Sequence, residues 1–332
     1  MTKFPKGILL FVFLSFSLYG QSIVPESYGF RHLQMNYKGD TVDILVKSLK
    51  GDGEKKKPLF FFCQGSLPIP LMITYDENGR QGIYSVFPFN PDSLSKDYHL
   101  AIISKPYVPL IVKRKLLNSD LTYNDSTGRY VQRNLLDYYV ERDKAVIKFL
   151  FKQNWISKDS LVAAGHSEGS AIAAKLALTD KRVTALIYSG GSAMGRIMTI
   201  IGRNRAIETD STREAEKDIE KWERIVADPE NMNGDNGDTY KVTYQFSIPP
   251  FQYLEKLKIP VFVTYGSKDA NAPFNDYLRV EMIRQKRKNF TFKAYIGTEH
   301  NFFPLNKDGT VNYDIFNWDN VAGDWHKWLR KH

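Results

Sequence analysis

A serine, an aspartate and a histidine, each following an apolar run, are the residues of this chain best placed to do chemistry. Ser167 stands in Gly165-His166-Ser167-Glu168-Gly169, between the apolar run Leu161-Val162-Ala163-Ala164 and the alanine-rich residues 170–178. That is strand, sharp turn and helix. A serine on such a turn has its hydroxyl pushed out above the sheet edge, and flanking glycines let the backbones of strand and helix pass closely. The strand-like residues 260–265 lead into Gly266-Ser267-Lys268-Asp269, and residues 290–296 lead into Gly297-Thr298-Glu299-His300. A hydroxyl whose proton passes to an imidazole, itself oriented by a carboxylate, is a nucleophile for acyl carbon. Plainer readings stand beside each assignment. Ser167 could be an ordinary helix N-cap; Asp276 and Glu299 compete with Asp269 as the acid; His326 and His332 compete with His300 but sit in the terminal amphipathic helix and tail. His166, inside the turn, suits local packing better than proton transfer.

The elements that must position these groups follow from hydrophobic patterning. Residues 31–37 and 41–47 alternate with period two around Gly39-Asp40, which predicts an antiparallel opening hairpin. Later runs are continuously apolar (59–63, 100–103, 161–164, 183–188 and 261–265), the mark of a sheet covered on both faces. Helical stretches such as 135–151 lie between several of them, so a mostly parallel sheet with right-handed crossovers is expected. Two stretches interrupt the scheme. Residues 192–250 are far longer than a usual connection and predict a helical cap; within it, Ser211 followed by Glu214 suggests a capping box opening a helix with Ala215, Ile219, Trp222 and Val226 on its apolar face. Residues 65–97, rich in Pro, Phe and Tyr, predict walls above the sheet. Segments 84–89 and 106–110 are expected to border a mainly apolar cleft, in which rates rise with acyl length and esters outpace amides.

The chain order Ser, Asp, His with the serine on an elbow resembles the α/β-hydrolase superfamily over nearly all of the chain after the first two dozen residues. Within it, the Gly-His-Ser-Glu-Gly elbow and Lys258-Ile259-Pro260 look most like serine esterases of the dienelactone-hydrolase and acyl-peptidase side. The resemblance implies an α/β fold with a mostly parallel central sheet, helices on both faces and a helical cap insertion. It implies Ser167, Asp269 and His300 as the catalytic residues and the backbone N–H of Glu168 as one oxyanion donor. The second donor belongs to the loop after Phe60-Phe61-Phe62-Cys63, where relatives often carry His-Gly. Here the residues are Gln64-Gly65-Ser66, and Ser66 offers the matching N–H with Leu67 as the fallback. The expected activity is that of an exported serine hydrolase cleaving a carboxylic ester through an acyl-enzyme. A peptidase acting on short peptides, or an inactive binding protein of the same fold, would carry the same residues.

Composition agrees with one large domain. At 332 residues, 42% hydrophobic and 25% charged, the chain can bury a sizeable core. Its net charge of +9 is scattered, with short runs such as Lys55-Lys56-Lys57, which argues against a nucleic-acid surface. Lys3, Lys6, the apolar residues 7–18 and Ser17-Leu18-Tyr19-Gly20 form an export signal pattern, too short to span a bilayer comfortably. Residues 1–20 are therefore expected to be removed, leaving 21–332 as the hydrolase domain with a cap at about 192–250; an uncleaved anchor is the alternative. Periplasmic or extracellular location follows. The sole cysteine, Cys63, excludes an intrachain disulfide and reads as a buried small hydrophobe. No HExxH and no paired cysteines are present, the histidines are scattered, and the glycines of residues 231–238 do not suit an EF-hand, so no metal or cofactor is implied. The partner expected is a small-molecule ester or short peptide. Arg196, Arg203 and Arg205 in the cap could grip an anionic substrate, although surface solvation is their ordinary use.

Overall fold

The computed structural model describes residues 23–332 apart from 78, 79, 85, 236 and 237; the expected export segment lies outside the described residues. Eight strands share one sheet: β1 (Phe30–Tyr37), β2 (Asp40–Lys47), β3 (Lys57–Cys63), β4 (His99–Ile103), β5 (Ile156–His166), β6 (Ala185–Ser189), β7 (Val261–Gly266) and β8 (Phe290–Tyr295). Their spatial order is β1-β2-β4-β3-β5-β6-β7-β8. Strand β2 runs antiparallel to β1 and β4, and all the other neighbours are parallel. The opening hairpin turns one residue earlier than the sequence suggests. Tyr37 pairs with Asp40, so Lys38 and Gly39 form the turn, with φ of 52° and 87°. A two-residue turn of this hand needs positive φ at both positions, and Gly39 supplies the second at no steric cost.

The continuous apolar runs are used by both faces of the sheet, as expected for strands covered on both sides. Leu59, Phe61 and Cys63 of β3 join one core cluster while Phe60 and Phe62 join the other. Seven helices of eight or more residues are described: α1 (Leu136–Leu150), α2 (Glu168–Thr179), α3 (Arg196–Ile207), α4 (Glu214–Ala227), α5 (Tyr240–Ser247), α6 (Ala272–Arg284) and α7 (Trp318–Leu329). Residues of α1, α2, α5 and α6 fill the first cluster, and Trp318, Trp325 and Trp328 of α7 fill the second.

Both interrupting stretches differ in detail from their sequence reading. Residues Met72–Glu77, Arg80–Ile83 and Ile111–Lys113 form a separate three-stranded sheet, which the sequence did not reveal. Phe87 and Phe89 are each 1% exposed and pack on Phe62, and Phe89 also meets Trp318 and Trp325. They belong to the core because α7 brings Trp318 and Trp325 onto the same sheet face, and the rings share one buried cluster. Between β6 and β7 lie α3, α4, the short hairpin Gly234–Asp235 and Asp238–Thr239, and α5. The capping box does not form. Arg213 stands at the N-cap of α4 in the left-handed region with no side-chain cap, Glu208 accepts from the Ala215 N–H at 2.9 Å, and Ser211 bonds Thr209 instead. Ala215 is buried and Ile219 and Trp222 are half-buried, as the expected face requires, but the last turn buries Ile225 in place of Val226, which is 49% exposed.

Candidate active site

Strand β5 ends at His166, α2 begins at Glu168, and Ser167 alone makes the turn, with φ 57° and ψ −128°. The glycines are required by contact. A Cβ on Gly165 would lie 2.0 Å from the Gly169 carbonyl oxygen, and one on Gly169 would lie 2.2 Å from that of Cys63. Ser167 is pinned through its backbone, its N–H donating to the Ser189 carbonyl at 2.9 Å and its carbonyl accepting from the Ser170 N–H at 3.1 Å. Its hydroxyl does not cap α2.

That hydroxyl lies 2.9 Å from His300 Nε2, and His300 Nδ1 lies 2.7 Å from Asp269 Oδ2. A carboxylate only accepts, so Nδ1 carries the proton and Nε2 is left to accept from the serine. Asp269 is 5% exposed, and its other oxygen accepts the Asn271 N–H at 3.0 Å. The loops bearing acid and histidine are joined by backbone bonds, Ser267 N–H to the Tyr295 carbonyl at 3.0 Å and Lys268 N–H to that of Thr298 at 2.9 Å. Gly266 lets them approach, since a Cβ there would lie 2.2 Å from the Glu299 carbonyl oxygen. The competing acids are committed elsewhere. Asp276 accepts from the Tyr265 hydroxyl, and Glu299 accepts the N–H groups of Asn301 and Phe303 within its own loop. His326 pairs with Asp97, and His332 rests against Trp328.

His166 packs beneath His300, with ring centroids 4.9 Å apart, and is boxed in by Phe302 and Trp318. Burial, with His300 beside it, holds its imidazole well below the ordinary value, so it is a neutral platform. On the other side, Gly65 passes the nucleophile closely enough that an added Cβ would touch Ser167 Cβ at 3.7 Å. Gln64 is turned away and donates its amide to the Ile103 carbonyl, while the Ser66 carbonyl accepts from the Tyr130 hydroxyl at 3.1 Å. Leu67 is 47% exposed.

Ser66, Ser167, Glu168 and His300 line one cleft of about 240 Å³. Its walls mix polar and apolar surface. Ser192, Arg196, Thr199, Arg203, Asp238 and Asn271 share them with Ala171, Ile200, Phe246 and Pro250, whereas no described residue of segments 84–89 and 106–110 lines it. The arginines also differ from their ordinary surface use. Arg205 does pair at the surface with Glu208 and Glu216, but the Arg196 side chain is only 15% exposed and pairs with Glu168. Arg196 Nη1 also lies 2.9 Å from Asp238 Oδ2, although out of line for a hydrogen bond. Burial works against the Arg196 charge, and Glu168 and Asp238 outweigh it. Arg196 is delivered by Gly195, whose φ of 84° lets α3 start against the end of α5, where Ser247 Oγ accepts the Ile197 N–H at 3.0 Å. Sequence reasoning missed the Glu168–Arg196 pair; an acid inside the elbow was its one signal.

No protein-family profile and no curated protein matches the chain. Solved structures do resemble it. Est1E of Butyrivibrio proteoclasticus with ferulic acid bound superposes with a TM-score of 0.57 at 15% identity, over 90% of this chain and 98% of that one. An esterase of Pyrococcus furiosus gives 0.53 at 10%, over 93% and 92%. The acylaminoacyl peptidase of Pyrococcus horikoshii gives 0.52 at 14% over 82% of this chain, which spans only 37% of the peptidase. Strand order, the strained serine between β5 and α2, and these superpositions agree that the chain has the α/β-hydrolase fold.

Proposed function

We propose that the protein is a serine hydrolase that cleaves a carboxylic ester through an acyl-enzyme. The observation that carries this reading is the hydrogen-bonded chain from Ser167 Oγ through His300 to Asp269. Ser167 attacks the carbonyl carbon as His300 Nε2 takes its proton. The negative charge that develops on the carbonyl oxygen is held by the backbone N–H groups of Glu168 and Ser66. The imidazolium then protonates the departing alkoxide, and a water activated by the same nitrogen releases the acid and restores the serine. Asp269 fixes the histidine tautomer and stabilises the imidazolium throughout. Export, with cleavage near Gly20, belongs to the proposal and rests on residues 1–20 alone. Esterases and an acylaminoacyl peptidase both stand among the similar structures, so the bond cleaved is the point to test. Labelling with a fluorophosphonate is expected at Ser167, followed by faster hydrolysis of esters than of matching aminoacyl amides. Amides preferred throughout would replace the esterase reading with a peptidase, and labelling at another serine would remove the assignment.

A further inference from the structure

Helix α3 presents Arg196, Thr199, Ile200 and Arg203 to the cleft, the spacing of a single helix face. Three of the four are accounted for: Arg196 is held by Glu168 and Asp238, Thr199 donates to Asn271 Oδ1 at 2.7 Å, and Ile200 supplies apolar wall. Arg203 is exposed, and among the described residues nothing is paired with it. Acids are not scarce around it. Its neighbours on the same helix find them, Arg205 taking Glu208 and Glu216 and Asn204 taking Asp218. The two carboxylates that line the cleft are both committed to Arg196, so the cleft neutralises one arginine and leaves the other with its donors open. Seven residues of helix span about 10 Å. Arg203 therefore stands about two turns from the Glu168–Arg196 pair beside the nucleophile, with Ile200 between.

A guanidinium facing a cleft with unused donors matches a carboxylate two-pronged, and its rigid fork distinguishes that shape from a mere negative charge. The intervening Ile200, with Ala171, Phe246 and Pro250, suits a short aliphatic spacer. We propose that the substrate carries a carboxylate remote from the scissile bond, as in a monoester of an aliphatic dicarboxylic acid, and that Arg203 is the residue that selects it. This rests on the hydrolase reading and narrows its substrate class. A free ammonium group is disfavoured at this position, because Arg203 is itself a cation and like charges repel.

The test separates binding from turnover. Ser167→Ala protein is titrated calorimetrically with monomethyl esters of succinate, glutarate, adipate and suberate and with their uncharged amide counterparts. At one spacer length the charged ester is expected to bind about three- to tenfold more tightly than its amide, the range of a partly exposed charge-assisted pair, with the ratio falling as salt is added. Arg203→Gln in the same background should bring the ratio to about one, and Arg203→Lys should keep part of it. In the active protein the preference should reside in KM more than in kcat. Equal binding of charged and uncharged esters at every length, binding of neither, or a ratio unchanged in Arg203→Gln overturns the proposal. Absence of fluorophosphonate labelling at Ser167 would instead overturn the hydrolase reading and leave the binding ratio to be judged on its own.

Discussion

Ser167 combines two demands that conflict in most residues. Its φ of 57° and ψ of −128° belong to backbone space that a residue with a Cβ occupies at a cost of about 1–3 kcal/mol, yet the position needs a side chain to carry the nucleophile. Replacing it separates strain from chemistry. Ser167→Ala should lose all labelling and turnover with stability within about 0.5 kcal/mol of the native chain, because alanine keeps the strained Cβ. Ser167→Gly should be equally inactive but more stable by about 1 kcal/mol, read from urea midpoints; equal midpoints would show that the turn is unstrained. Asp269 acts through His300, so Asp269→Asn should retain the fold while kcat falls by about 10⁴, since the amide can hold the wrong tautomer. An unchanged kcat would return the acid role to the alternatives, although Asp276 and Glu299 already have partners of their own.

At the scale of elements, the site depends on how closely backbones pass. Gly165→Ala or Gly169→Ala should be among the most damaging single changes, because the intruded atoms are backbone carbonyls with no rotamer to move aside. These elements were legible in the sequence because local rules govern them: period and continuity of apolar residues gave the strands, and small residues at fixed spacing gave the elbow. The lining of the cleft was not legible. Whether Phe87 and Phe89 face a substrate or a core depends on α7, which lies more than two hundred residues along the chain and brings Trp318 and Trp325 onto the same sheet face. The pairing of Glu168 with Arg196 is likewise long-range: an acid inside the elbow hints at a partner, but nothing near it in sequence says that the partner is Arg196. Phe89→Ala therefore should cost about 3–5 kcal/mol of stability through the cavity it leaves, with little change in KM. A large rise in KM with stability intact would return this segment to the substrate cleft.

For the whole molecule, the unusual region is a set of charges buried between β3 and α1, beside the loop that follows Cys63. Lys105 is 3% exposed, Asp143 is also 3% exposed, and the Cys63 thiol lies 3.6 Å from Asp143 Oδ2. Burial drives their titrations in opposite directions. It raises Asp143 from 3.8 to about 7, with Arg142 and Lys105 pulling back, and it lowers Lys105 from 10.5 to about 8, with Glu168 pulling back. The sign of each contribution follows from proton counting. Between pH 3.8 and about 7 the folded chain keeps a proton on Asp143 that the unfolded chain releases, so this group makes stability fall as pH rises. Between about 8 and 10.5 the folded chain lacks a proton on Lys105 that the unfolded chain retains, so this group makes stability rise with pH. Their sum is a trough near pH 7 to 8, on the order of a few kcal/mol deep. Urea midpoints measured across pH should show it as a difference between variants: Asp143→Asn removes the falling limb below pH 7, and Lys105→Met removes the rising limb above pH 8 and stabilises the protein at neutral pH. Parallel curves for native and variant chains would mean that the cluster titrates as it does in water. A trough of this kind would mean that the fold carries an electrostatic cost beside the loop that follows Cys63.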